Sequence, residues 1–179
     1  NIVGSVVYPA CEIVKPGTVK HIAGNRFSLG EPGGSESDRL KFISEILKRA
    51  GFRAPIQKNI RDEIWLKLIG NLSFNPISAL TGATLEQICN DQGTEAIVRA
   101  MMTEAKIIAE ELGAKINMSI EKRIEGARKV GAHKTSMLQD IEAGKPIEID
   151  SIVIAVKELG ELTCSPVSYT HLRAHETLA

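Results

Sequence analysis

No sign of charge dominates this chain: 22 Lys and Arg stand against 22 Asp and Glu in 179 residues. That balance argues against nucleic acid or an acidic membrane as the main partner. No apolar run approaches the roughly 20 residues that a membrane-spanning helix needs. The best candidate, 149–156, is broken by Asp150 and Ser151. Cysteine is sparse: Cys11, Cys89 and Cys164 are odd in number and far apart, which suits a reducing, cytoplasmic compartment rather than a disulfide framework. Their spacing fits no metal site, so no metal is expected. A charged-apolar-cleavable leader is absent as well. The first residue is Asn1, not Met, and Ile2 to Val7 already reads as a strand, so the chain is expected to be a fragment that begins inside a folded domain.

What is present is ordinary globular material, 43% hydrophobic and 25% charged, enough for one domain or slightly more. Residues 1 to about 60 mix strands with one helix. Val3 to Tyr8, Gly17 to Ile22 and Arg26 to Leu29 read as strands separated by Pro16-Gly17 and Gly24-Asn25 turns. Gly30 to Ser37 is a loop. Its Gly30-Glu31-Pro32-Gly33-Gly34 lacks the Gly-x-Gly-x-x-Gly order of a phosphate cradle. Ser37 or Asp38 caps a helix with Leu40, Ile43, Ile46, Leu47 and Ala50 on one face, ended by Gly51, and 54–57 adds a short strand.

Beyond residue 60 the period is helical throughout. Ile60 to Leu80 forms a long helix with Ile64, Leu68, Leu72 and Ile77 inward, which Pro76 should kink or end. Thr84 caps a short helix. Thr94 to Leu112 is strongly amphipathic through Ile97, Val98, Met101, Ala105, Ile108 and Leu112, with Gly113 as terminator. Ser119 to Val130, Thr135 to Ala143 and Ile147 to Glu161 complete a helical domain. Glu121 to Lys134 is rich in cations, but interleaved acids and missing aromatics make it a solvated face rather than a nucleic-acid stripe.

Two constellations carry chemistry. Lys67, Asn71 and Asn75 follow one another in steps of four, so they share a sector of about 80° on the long helix. One cation and two amides in a row can grip a small, oxygen-rich ligand, although an exposed polar face has the same spacing. Two Asn in a helix run against propensity, which favours a role for them. The second constellation is Thr135 to Asp140 with Gly144 to Asp150. Ser136 suits an N-cap, with Gln139 at the third position of a capping box. Pro146 suits a first helical position, which places Glu148 in a first turn. Both features also have purely structural explanations.

These residues, taken together, resemble the ketopantoate reductase (2-dehydropantoate 2-reductase) family. The match is carried by Trp65-Leu66-Lys67-Leu68-Ile69-Gly70-Asn71-Leu72-Ser73-Phe74-Asn75-Pro76, by Ser136-Met137-Leu138-Gln139-Asp140, and by Glu148-Ile149-Asp150. Lys15-Pro16-Gly17 and Leu29-Gly30-Glu31 resemble the last strands of that family's nucleotide-binding domain. The resemblance implies an α/β remnant, the end of a Rossmann-type sheet, over 1–60. An all-α substrate and catalytic domain of the 6-phosphogluconate dehydrogenase C-terminal type would follow over 61–163. It also implies reduction of 2-dehydropantoate to pantoate with NADPH, on the route to pantothenate and coenzyme A, in a possible homodimer. By position, Lys67 would be the proton donor. Asn71, Asn75, Thr84 and Ser136, with Met137, Leu138 and Gln139 nearby, would hold the substrate. Glu148 and Ala10 would lie at the cofactor. The alternatives are a related NADPH-dependent reductase of another branched 2-oxo acid and a non-catalytic helical dimerisation or binding module.

Two departures accompany the resemblance. The family's Gly-rich dinucleotide fingerprint is missing from this sequence, so the isolated chain is expected to be inactive. Residues 164–179 resemble one reading frame of a transposase mosaic end plus sequencing adapter. They are expected to be a non-native tail that packs little, leaving the His171/His175 pair without an evolved role.

Overall fold

The computed structural model describes residues 2–170 and divides into two compact units, 1–64 and 65–179. In the first, β1 (Gly4–Val7) pairs antiparallel with β4 (Phe27–Gly30), with Gly4 opposite Gly30 and Val7 opposite Phe27. Residues 53–57 run parallel along the other edge of β4. Phe27 N donates to Arg53 O (2.7 Å), Leu29 N to Pro55 O (2.9 Å) and Gln57 N to Leu29 O (2.7 Å). The two facing glycines leave room for Ile60: a Cβ on Gly30 would fall 2.7 Å from Ile60 Cβ, and one on Gly4 2.9 Å from Ile60 Cγ1.

Between β1 and β4 a hairpin projects, β2 (Ala10–Lys15) with β3 (Thr18–Ala23), exposed along its whole length. The sequence reading missed β2. Without a buried face there is no alternation to read, and Glu12 interrupts the apolar run.

Helix α1 (Asp38–Arg49) starts at Ser37, whose Oγ accepts from Leu40 N. It buries Leu40 and Ser44, the latter bonded to Ala54 O at 2.6 Å, while the expected Ile46 is largely exposed. Glu31 ties the preceding loop to α1 through Arg39 and Ser37. The Arg39 guanidinium, and then the Ser37 hydroxyl, hold the Glu31 carboxyl down to about 2.

Helix α2 (Ile60–Thr81) runs through Pro76 without ending, so of the expected kink or end the end does not occur. Proline there removes one helical donor and crowds the preceding turn, a cost of about 3 kcal/mol in an exposed helix. Burial outweighs it: every residue from Leu72 to Ser78 is buried. Ser78 Oγ donates to Ala83 O and Thr81 Oγ1 to Ile77 O, both at 2.7 Å, fixing the last turn.

In the second unit, α3 (Leu85–Asn90) begins at Thr84, with Gln87 completing a capping box. Helix α4 (Gln92–Glu111) starts at Asp91 and buries Val98, Met101, Met102, Ala105, Ile108 and Ala109. Leu112, expected on that stripe, is its exposed C-cap. Large side chains such as Leu72, Ile77, Met101, Met102 and Val156 meet in one core. Each contributes about 1.5–3 kcal/mol by leaving water. Helix α5 (Ile120–Val130) is capped by Ser119. Arg128 clamps it to its neighbours, reaching Cys89 O at 2.7 Å and Glu95 at 3.2 Å. Helix α6 (Ser136–Glu142) follows, then a π-helical turn over Asp150–Ile154 that opens directly into α7 (Ala155–Leu162).

Residues 163–170, the described part after α7, pack against the unit, contrary to the expectation of a loose tail for that stretch. Cys164 takes the left-handed conformation (φ 54°) that usually falls to glycine. Cys164 N bonds Glu161 O and Ser165 N bonds Gly160 O, closing the end of α7 in a Schellman arrangement. A Cβ on Gly160 would sit 2.2 Å from Val167 Cγ1, so that glycine makes the seat for Val167. The buried Glu104 carboxylate accepts from Tyr169 N, Thr170 N and Thr170 Oγ1, each at 3.0 Å. The rest of the expected tail, including His171 and His175, lies outside the described residues.

Candidate functional site

The site is laid out along α2. Steps of four place Lys67, Asn71 and Asn75 on one sector, beside the core residue Leu72. Asn75 is 6% exposed and Asn71 half-buried, so the strip faces inward rather than forming a solvated face. Asn71, Phe74 and Asn75 line a cavity of about 560 Å³ within the second unit. Its opposite wall is α5, with Met118 just ahead of it. Leu85 at the start of α3, and His133, Thr135 and Ser136, close the remainder. Leu85 N donates to His133 O (3.0 Å) and Glu86 N to Gly131 O (3.2 Å), which pins the α5–α6 connection to α3.

Asn71, Asn75 and Ser136 thus come together from distant parts of the sequence. Thr84 is half-buried beside Leu85, its side chain engaged with Gln87. Met137 and Leu138 turn into the protein and are buried. The cap of α6 is Thr135, not the expected Ser136: Thr135 Oγ1 accepts from Leu138 N (3.3 Å). Ser136 is therefore the first helical residue, and its hydroxyl is not consumed by capping. Gln139 falls one position beyond a capping box, and its Nε2 donates to Lys134 O (2.8 Å). Ala10 lies on the exposed β2, opposite Ala23, in the first unit.

Lys67 is half-buried, and burial pushes its ammonium below the usual lysine range. The Glu148 carboxylate pushes it back up, so the two charges sense one another although most of the sequence of the unit separates them. Glu148 is not in a first helical turn as expected. Pro146 stands ahead of the helix, and Glu148 O accepts from Ile152 N (3.2 Å) as the chain enters the π turn. Such turns recur at functional sites, because the extra residue re-aims the side chains around it.

One wall of the cavity escaped the sequence reading. Lys122 and Arg123 on α5 line it with His133, whereas this stretch reads as a solvated face. The available signal was Gly70, a helix-weakening residue in mid-helix with no turn to make. A Cβ there would fall 2.2 Å from Arg123 Nη2, 2.9 Å from its Cζ and 3.0 Å from its Nε. No carboxylate is among the described residues lining the cavity. Amides, a hydroxyl and basic side chains supply hydrogen-bond donors that suit a small oxygen-rich anion. Among the described residues, no helix is long and apolar enough to cross a membrane, and no group of three His, Cys, Asp or Glu could hold a metal.

Comparison with known proteins places this geometry. A 2-dehydropantoate 2-reductase of Mesorhizobium japonicum is 55% identical over 166 residues, which are 93% of this chain and 51% of that protein. The crystal structure of 2-dehydropantoate 2-reductase from Methylococcus capsulatus superposes with a TM-score of 0.90 at 30% identity, covering 98% of this chain and 57% of that one. A D-mandelate dehydrogenase solved with NADH shares the fold at 20% identity, with a TM-score of 0.86 over 98% of this chain and 60% of its own. The chain spans about half the length of the curated relatives it matches. Residues 59–174 match the family described as ketopantoate reductase PanE/ApbA C terminal, a span that runs past the expected boundary at 163 and covers well over half of the sequence. The chain belongs to that family.

Proposed function

We propose that this chain is the substrate-handling half of an NADPH-dependent reductase that converts 2-dehydropantoate to pantoate. Residues 1–60 would be the end of the cofactor domain and 61–163 the substrate domain. The observation that carries the reading is the convergence of Asn71 and Asn75 of α2 with Ser136 of α6 on one cavity, α2 also presenting a half-buried Lys67 that senses the Glu148 carboxylate. A polar cleft used only for dimerisation has no need of that pair.

NADPH, when bound, supplies the hydride. The residues of this chain do not make its pyrophosphate cradle: the Gly-x-Gly-x-x-Gly order is absent, and Ala10 sits on an exposed strand. The chain's own chemistry concerns the oxygen. Charge develops on the ketone oxygen as it becomes an alcohol. The Lys67 ammonium neutralises that charge and donates its Nζ proton to it. Burial lowers the proton affinity of Lys67, which favours release of its proton, and the Glu148 carboxylate acts against that shift and favours the charged form. The Asn71 and Asn75 amides and the Ser136 hydroxyl bind and orient the acid. Thr84 and the 137–139 segment shape the same region, Glu148 is the cofactor-side residue of the second unit, and Ala10 is that of the first unit by the resemblance alone.

The test is an exchange. This chain replaces the matching residues of the Mesorhizobium enzyme, and NADPH oxidation is followed with 2-dehydropantoate and with other branched 2-oxo acids. Turnover led by 2-dehydropantoate supports the reading. A preference for another 2-oxo acid moves it to the related reductase. A folded, NADPH-binding enzyme without turnover on any of them overturns it.

A further inference from the structure

Arg123 is not among the residues that the family resemblance assigns, yet it lines the cavity together with Asn71 and Asn75. Its guanidinium occupies the space at Gly70 that any side chain at position 70 would fill. Gly70 immediately precedes Asn71, so the guanidinium is delivered to the helical turn that holds the first of the two amides. Arg123 is half-buried, whereas Lys122 and His133 are exposed. Arg123 thus shares the cavity with the neutral donors Asn71, Asn75 and Ser136. A planar guanidinium among neutral donors suits a carboxylate, which it can grip with two parallel N–H bonds.

We propose that Arg123, seated on Gly70, is a substrate-binding residue that receives the carboxylate of the 2-oxo acid and gives this enzyme its preference for acids over their neutral esters. The proposal rests on the 2-oxo acid reading above and adds to it a determinant of specificity. Asn71 and Asn75 then serve the oxygens at the other end of a short molecule. Gly70 serves through Arg123: its lack of a side chain is the seat.

The experiment is a titration of the 179-residue chain, labelled with ¹⁵N, with 2-dehydropantoate and with its uncharged lactone. The Arg123 Nε–H signal and the Asn71 and Asn75 amide signals are followed. The acid is expected to shift all three saturably, and the lactone to bind at least about tenfold more weakly, the scale of a hydrogen-bonded charge. Arg123→Gln should abolish that difference and weaken the acid by about tenfold or more, and Arg123→Lys should restore part of it. Gly70→Ala should displace the guanidinium and weaken the acid several-fold while the melting temperature holds or rises, because alanine favours the helix. A merely structural Gly70 would lose stability instead. The proposal falls if Arg123→Gln binds the acid as the parent does, if acid and lactone bind alike, or if the acid shifts nothing. Acid shifts at Asn71 and Asn75 that leave Arg123 untouched would overturn it while leaving the proposed reductase function standing. Failure of the exchanged enzyme described above bears on that function alone.

Discussion

Glu148 raises the proton affinity of Lys67, and burial lowers it by more. The lysine therefore carries a charge that the fold only partly compensates. In the exchanged enzyme, Glu148→Gln should move the alkaline limb of kcat to lower pH, since losing the opposing charge lowers the proton affinity of Lys67. A pH–rate profile checks it, and an unmoved limb would mean that Lys67 is not the titrating acid.

The same shift bears on stability. The native pKa of Lys67 lies below its unfolded value, so the protonated form is disfavoured by folding. That penalty is fully present below the native pKa and is relieved as pH rises from it toward about 10.4, the ordinary lysine value. Lys67→Met should raise the melting temperature of the chain at pH 7. The advantage should shrink when melting is repeated at progressively alkaline pH.

Lys67→Ala should lower kcat of the exchanged enzyme by about 10²-fold or more, the scale of a positioned proton donor. Asn75→Ala should act chiefly on KM. Steady-state kinetics separates the two, and near-normal kcat in the lysine variant would remove it from the proton-transfer step.

Truncation after Ser165 should destabilise the chain. It removes Val167 from its seat on Gly160 and strips Glu104 of three donors. Leaving a buried carboxylate without partners costs about 1–3 kcal/mol or more. Thermal melting of the truncated and intact chains checks this, with Glu104→Leu expected to recover part of the loss in the truncated form.

The 179-residue chain alone should neither turn over 2-dehydropantoate nor bind NADPH tightly, because hydride transfer needs the nicotinamide held at near-attack distance and no Gly-rich turn is present to anchor it. Cofactor absorbance in the presence of substrate provides the measurement. Turnover near that of an intact reductase would overturn the expectation.

The parts of this molecule that were legible in its sequence are those with a period. The Lys67/Asn71/Asn75 row follows from steps of four, and the α4 core face from apolar recurrence. Adjacent alternatives were not separable. Thr135 and Ser136 are both hydroxyls that can cap a helix, and only the backbone dihedrals assign the role to Thr135. Pro76 reads as a break because propensity is local, whereas the burial that carries α2 past it comes from distant helices. Arg123 was hidden for a related reason. A charged helix looks solvated until the glycine that receives its guanidinium is found on another element.

Gly4, Gly30 and Ile60 form a three-body fit in which two strand positions facing one another can exist without side chains only because a third residue fills the space. Such a fit constrains descent. A lineage that gains a methyl at either strand position must first, or at once, trim the helix residue to valine or alanine. A lineage that trims the helix residue first opens a void that a later methyl can fill. The three positions should therefore drift as a set, and their joint variation among relatives would record this contact without any structure being solved.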